Sequence, residues 1–364
     1  MKFFIKEWAK RKKINPRYTW IISKIELVYL SIRFRYDQIK TNSYLRSKWI
    51  TINDGILPIK NVTELIPPSL DLFIYNPTVT LDKDNELLYF ARVTNRSYIP
   101  KVDFWQRGQK RDSADFSLDG VCSFKVNKNY ELSDFQIVIN PTLIPNFQDP
   151  KAISFKDTYL LFGNYIVKEA NGSDRTFISK VAFYDTKDQV FEILESPFNK
   201  NIEKNWIPFQ IKNGILSLIY RCKPLTVLEY NFNFKKIEYK ILDDKVDFNY
   251  HGGSQFVKID EDSYLRIVRY KFQFPKLGLI NLSYAIIHDS DLHIKFISKP
   301  FMFKKFGFEI CNGLIIVGDR LVFAWGEDDL KMFTGDMPIV EFLEWICNNK
   351  HSKKSSVNIF SLKQ

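Results

Sequence analysis

The chain has 364 residues, 45% of them hydrophobic and 16% aromatic, which is ample for a packed core and argues against disorder across the main body. Its net charge of +11 sits at the ends: residues 1–48 carry 13 Lys/Arg against three acidic residues, residues 349–364 add four Lys, and the 36 basic and 39 acidic residues between them nearly cancel. That distribution argues against a basic nucleic-acid-binding body. Cys122, Cys222, Cys311 and Cys347, widely spaced without a C-x-x-C pair, exclude a zinc or dithiol motif and suit a reducing cytoplasm.

The basic front end, residues 1–48, opens on Trp8 and the run Lys10, Arg11, Lys12, Lys13. After Pro16, the residues Ile21, Ile22, Ile25, Val28, Tyr29 and Ile32 share one face of a predicted helix, with Lys24, Arg33, Arg35 and Lys40 beside it. Lys24 and Glu26 interrupt the apolar run, so neither a secretory signal nor a bilayer span is expected. Two readings fit: a peripheral anchor on the inner face of an anionic membrane, or a helix packed on a partner or on the body.

From about residue 70 one theme recurs five times within a body spanning 49–348. A polar opener leads into an alternating strand, a tight charged turn and a second, more apolar strand. The openers are Asn76-Pro77, Asp149-Pro150, Asn205-Trp206, Gly252-Gly253 and Glu309, and the turns read DKDN, KD, KNG, DED and GD. Five like units predict an all-β, five-bladed β-propeller, with a β-sandwich as the alternative. No long helical pattern interrupts these units before Met337–Asn348. In a propeller the first strand of every blade lines the central channel, so the five openers converge on one funnel.

At these openers the sequence resembles glycoside hydrolase family 130, the five-bladed β-mannoside phosphorylases, and the related β-mannosyltransferases. The resemblance covers roughly residues 70–335. It rests on Asn76-Pro77 with Arg92, on Gln148-Asp149-Pro150-Lys151, and on Lys204-Asn205-Trp206 with Pro208-Phe209. Tyr220-Arg221 with Pro224, Gly252-Gly253-Ser254, Phe308-Glu309 with Gly313, and Gly326 with Asp328-Asp329 complete it. Three positions depart from the family pattern: Gln148 stands for Glu, Lys151 for Arg, and Arg269 for the His of an H-G pair.

The resemblance implies that Asp149 is the catalytic carboxyl and that Lys204, Arg221 and Arg269, with Lys151 and His251, bind a phosphate or phosphoryl donor. It also implies that Asn76, Arg92, Asn205, Trp206, Glu309 and Asp328 contact sugar. Trp206, Tyr220, Tyr250 and Trp325 lie beside the openers, where they serve either as stacking platforms or as core. One acid among several cations differs from the matched carboxylate pair of an ordinary glycosidase. Water needs no cations to position it, whereas a phosphoryl group is bound by charge-assisted hydrogen bonds. The expected protein is therefore a glycosyltransferase with a phosphate-bearing donor and a carbohydrate acceptor, acting in polysaccharide or glycolipid synthesis. A β-mannoside phosphorylase or hydrolase, and a non-catalytic glycan-binding propeller, are the alternatives. The four histidines lack ligand spacing, so no metal and no cofactor are expected.

Overall fold

The structure is a computed structural model describing residues 55–67, 73–94, 119–127, 130–169, 176–242, 250–274, 278–304 and 307–348. The amphipathic helix expected within residues 1–48, its membrane contact, and the basic tail 349–364 lie outside the described residues.

The described residues form five four-stranded antiparallel sheets, the architecture of a propeller. The first blade is β2 (Phe73–Leu81), β3 (Leu87–Thr94), β4 (Asp119–Val126) and β5 (Leu132–Ile139). The second is β6 (Phe147–Phe155), β7 (Thr158–Glu169), β8 (Thr176–Asp185) and β9 (Phe191–Leu194). The third is β10 (Ile207–Lys212), β11 (Ile215–Cys222), β12 (Leu225–Asn231) and β13 (Lys236–Leu242). The fourth is β14 (Val257–Asp260), β15 (Ser263–Phe274), β16 (Gly278–His288) and β17 (Ile294–Ile297). In the fifth, β18 (Glu309–Val317), β19 (Arg320–Glu327) and β20 (Lys331–Pro338) are completed from the other end of the described chain by β1 (Lys60–Leu65).

That last pairing closes the ring. Thr63, Glu64 and Leu65 lie opposite Thr334, Phe333 and Met332, so the first described strand becomes the outer strand of the final blade. Closing the circle with early and late strands ties the first and last described strands into one blade.

The hairpin turns follow the local sequence. At the KNG turn, Asn213 and Gly214 both take positive φ (52° and 72°), the geometry a two-residue connection needs to match the twist of its strands. Inner strands are buried and outer strands are not: β2 is almost wholly buried, while β13 alternates little and is largely exposed. Polar ties join blades near the axis. The Thr78 hydroxyl donates to Gln255 Oε1 at 3.1 Å, and Gln255 Nε2 donates to the Val79 carbonyl at 2.6 Å.

Between the blades lie aromatic clusters, each buried side chain contributing about 1.5–3 kcal/mol of transfer free energy. The helix α1 (Ile339–Asn348), where the sequence predicts one, buries Phe342, Leu343, Ile346 and Cys347 against the fifth blade. These residues recur at the spacing of a single helical stripe. No helix among the described residues is long and apolar enough to cross a membrane.

Candidate functional site

The openers converge because of their backbone. Asn76 and Asp149 both adopt the left-handed conformation (φ 53° each) immediately before a proline. Asn and Asp enter this region more readily than other side chains, and the proline that follows has no N–H to place in a ladder. The strand register slips at both places, between Tyr75 and Thr78 and between Gln148 and Lys151. Such bulges re-aim a side chain at the end of a strand. Here they bring Asn76 and Asp149 from adjacent blades within hydrogen-bond reach.

Asn76 Nδ2 donates to Asp149 Oδ1 at 2.9 Å and to Asp329 Oδ1 at 3.1 Å. Gly326 makes this orientation possible, since a methyl group there would stand 2.3 Å from Asn76 Oδ1. Two carboxyls therefore share one amide nitrogen, and their nearest oxygens are at most about 6 Å apart, below the roughly 6.5–9.5 Å at which inverting glycosidases hold a water between acid and base.

The pair titrates in opposite directions. Burial raises the pKa of Asp149, but Arg92, Lys151, the Asn76 amide and Arg269 outweigh it and hold the carboxyl below its ordinary range. Burial raises Asp329 too, and the neighbouring Asp149 carboxylate raises it further; Arg92, Asn76 and Arg269 only partly oppose this. Asp149 is thus the ionised member and Asp329 the member that holds a proton more readily.

Around the pair stand three cations. Arg92, 6% exposed on β3, places Nη1 3.6 Å from Asp149 Oδ1, while its Nε and Nη2 donate to Asp119 Oδ1 at 2.9 and 2.8 Å. The other Asp119 oxygen accepts from Gln148 Nε2 at 2.6 Å. Lys151, 3% exposed, has its pKa lowered to about 8 by burial, with Asp149 opposing and Arg269 reinforcing the shift. Arg269 Nη1 is buried without a hydrogen-bond partner, so a guanidinium donor faces the site unused.

Farther out, His251 exchanges backbone hydrogen bonds with Arg269, at 2.8 Å through the His251 N–H. Burial lowers the pKa of the His251 ring, and Arg269, Lys271 and Lys204 lower it further. Lys204 and Lys271 are exposed and lie on the solvent side of Lys151, which is buried, and of Arg269, which is partly buried. Asn205, left-handed at φ 61°, donates its backbone N–H to Asn164 Oδ1 at 2.8 Å.

The structure thus brings together Asp149, Asn76, Arg92, Lys151 and Arg269, with Lys204, His251 and Asn205 toward the rim. Other predicted site residues are placed elsewhere. The Glu309 carboxylate is 1% exposed and accepts the backbone N–H groups of Phe303 and Lys304 at 2.8 and 2.9 Å, which bind the entry of β18 to the chain before it. Trp206 is 2% exposed and meets Tyr220 edge-on at 5.7 Å inside a hydrophobic cluster, so it is core instead of a sugar platform. Tyr250 and Trp325 are likewise buried, and Tyr220 nearly so. Arg221 turns back on its own blade, with Nε donating to Thr226 Oγ1 at 3.1 Å and the guanidinium 5.8 Å from the Phe198 ring centroid. Asp328 yields its place beside Asn76 to Asp329. Both residues are left-handed (φ 57° and 52°), and the second is the one directed at Asn76.

Asp329 belongs to the Gly326 and Asp328-Asp329 stretch that carries part of the resemblance, but the expected sugar contact falls on Asp328, one residue earlier. Asp119, at the head of β4, has no comparable signal. Among the described residues no group of three or more His, Cys, Asp or Glu is placed to hold a metal.

No protein-family model matches the chain, and no curated protein sequence matches it. Solved structures do share its architecture. A beta-1,2-mannobiose phosphorylase from Listeria innocua superposes with a TM-score of 0.53 at 14% identity, over 79% of this chain and 100% of that one. A GDP-Man-dependent mannosyltransferase from Leishmania mexicana gives 0.54 at 13% identity, over 77% and 89%. A mannose phosphorylase from the same organism, in complex with a phosphate ion, gives 0.54 at 10% identity, over 82% and 94%. The five-bladed propeller is thus the fold this chain shares with these solved structures.

Proposed function

We propose that this protein is a carbohydrate-active enzyme, a glycosyltransferase that moves a sugar from a phosphate-bearing donor to a carbohydrate hydroxyl. The observation that carries this reading is the state of Asp149: a carboxylate kept ionised by Arg92, Lys151, Asn76 and Arg269 in the funnel. In the synthetic direction the site needs a base. The bond between the anomeric carbon and the phosphoryl oxygen breaks, and the leaving group takes the electron pair toward Lys151 and Arg269. The acceptor oxygen bonds to the anomeric carbon, and its proton passes to Asp149. An acceptor hydroxyl attached to an oxocarbenium-like centre is strongly acidic, so a weak carboxylate base suffices.

The structural neighbours support the substrate class. One uses GDP-Man, and another is held in complex with phosphate. A panel of nucleotide sugars and sugar 1-phosphates, incubated with protein and oligosaccharide acceptors, tests the proposal by release of nucleotide or phosphate. Release from at least one donor, lowered about 10³-fold or more by Asp149→Asn, is the expected result. Phosphate-dependent breakdown of oligosaccharides, with no release from any donor, would overturn it.

That outcome belongs to the second reading, a phosphorylase, which Asp329 favours. Breakdown needs a proton for the departing sugar oxygen, and Asp329, raised by burial and by the neighbouring Asp149, gives up its proton less readily than Asp149 does. Synthesis of a polysaccharide or glycolipid at a membrane would follow from the first reading if residues 1–48 anchor the protein.

A further inference from the structure

Away from the funnel the protein buries a cation without a counter-charge. Arg266 on β15 is 0% exposed, and among the described residues it forms no ion pair. Its Nε donates to His288 Nε2 at 3.1 Å, its Nη2 donates to Cys222 Sγ at 3.8 Å, and its Nη1 is buried with no hydrogen-bond partner. Strand alternation explains the placement. Arg266 and Val268 share one face of β15, and that face packs into the apolar cluster between the third and fourth blades, with Cys222, Val227, Tyr250 and Ile286. Arg269, three residues on, projects from the opposite face, so Arg266 is separate from the cations around Asp149.

Neither polar neighbour supplies the missing negative charge. His288 is neutral: burial and the charge of Arg266 hold its pKa well below the ordinary imidazole value, its Nε2 accepts from Arg266, and its Nδ1 donates to the Leu292 carbonyl at 2.8 Å. Burial raises the pKa of Cys222 against the opposing pull of Arg266, so the sulfur stays a thiol at neutral pH. The rings of Tyr250 and Phe256 lie 5.4 and 5.1 Å from the guanidinium carbon and return part of the cost of burial. Ring faces do not balance a full charge taken out of water, for which proteins otherwise provide an opposite charge. A water at Nη1 would complete the hydrogen bonding and leave the charge unbalanced. An anion would do both.

We infer that a small monovalent anion of the size of chloride binds at Arg266 Nη1, between the third and fourth blades. One guanidinium with one unused donor nitrogen matches a single negative charge that needs few hydrogen bonds. Phosphate or sulfate would need donors for several oxygens, which Phe256, Val268 and Ile286 do not offer. The ion's role is to bind the two blades together, since its ligand residue belongs to the fourth blade and the Cys222 beside it to the third. The inference is independent of the proposed function.

Thermal unfolding of the full chain, with sodium chloride replacing sodium gluconate at constant ionic strength, tests it. Chloride is expected to raise the midpoint by about 2 °C for each tenfold increase above its dissociation constant, for a domain of this size. Arg266→Met, which keeps the length and suits the apolar surroundings, should remove that dependence. Anomalous scattering from wild-type crystals soaked in sodium bromide locates the ion directly, with a peak expected beside Nη1. A midpoint equal in the two salts, or a chloride effect that Arg266→Met retains, would overturn the site. So would crystals with only water at Nη1, or with bromide only beside Arg269 in the funnel. Should Arg266→Met fail to fold, the bromide position in the wild type decides alone.

Discussion

Replacing Asp329 with Asn should stabilise the protein at neutral pH, an unusual outcome for a substitution in a buried polar site. The substitution keeps the shape and the acceptor oxygen that takes the Asn76 hydrogen bond, and removes only a charge. Two carboxylates about 6 Å apart repel by about 3 kcal/mol at an effective dielectric near 20. Arg92 and Arg269 offset part of this, so a net gain of about 1–2 kcal/mol is expected.

The pH dependence fixes the sign. Asp329 has a raised pKa in the folded protein, so the folded state binds its proton more tightly than the unfolded state does. Its charge is most unfavourable above that folded value, and the penalty disappears as pH falls toward the ordinary carboxylate value of about 3.9. The gain from Asp329→Asn should therefore be full at pH 7 and vanish by about pH 4. Asp149→Asn should behave oppositely. The stability contributed by its depressed pKa is present above the unfolded value and is lost as pH falls through the lower folded one. Urea denaturation of the wild type and both variants from pH 4 to 8 measures this. A loss of stability for Asp329→Asn at pH 7, or a gain independent of pH, would refute the like-charge account of the pair.

Arg92→Ala should destabilise the fold by about 3–5 kcal/mol in the same assay, because it removes the guanidinium bonded to the buried Asp119 carboxylate at 2.8 and 2.9 Å. Gln148→Glu places a carboxylate where Nε2 now donates to Asp119, and should lower the denaturation midpoint by the equivalent of about 1–3 kcal/mol, with partial recovery at acid pH. Gly326→Ala pushes a methyl group onto Asn76 Oδ1; a loss of about 1–3 kcal/mol and a larger fractional loss of turnover are expected, since Asn76 is the residue joining the two carboxyls. Unchanged turnover in Gly326→Ala would separate the Asn76 bridge from function.

Much of the fold is written locally. Alternating strands, two-residue turns such as Asn213-Gly214 and the helical stripe of α1 depend on neighbours along the chain, and each appears where the sequence places it. The five openers are legible for the same reason: Asn-Pro and Asp-Pro announce a break in a strand, and radial repetition directs such breaks to one channel. Asp149 is nominated in this way, and Arg92 and Arg269 through the resemblance.

What tertiary structure alone decided is which side chains at those openers face the funnel. A carboxylate or guanidinium binds whatever partner packing brings within about 3 Å, and sequence spacing does not encode that. Glu309 meets two backbone amides, and Arg221 meets a threonine and a phenylalanine of adjoining segments. Asp329 takes the position beside Asn76 expected of Asp328, because consecutive residues project in different directions. Asp119 joins Arg92 across neighbouring strands of the first blade. The sequence by itself determined five blades and a polar funnel, and three-dimensional packing made its centre a pair of unlike carboxyls within a ring of cations.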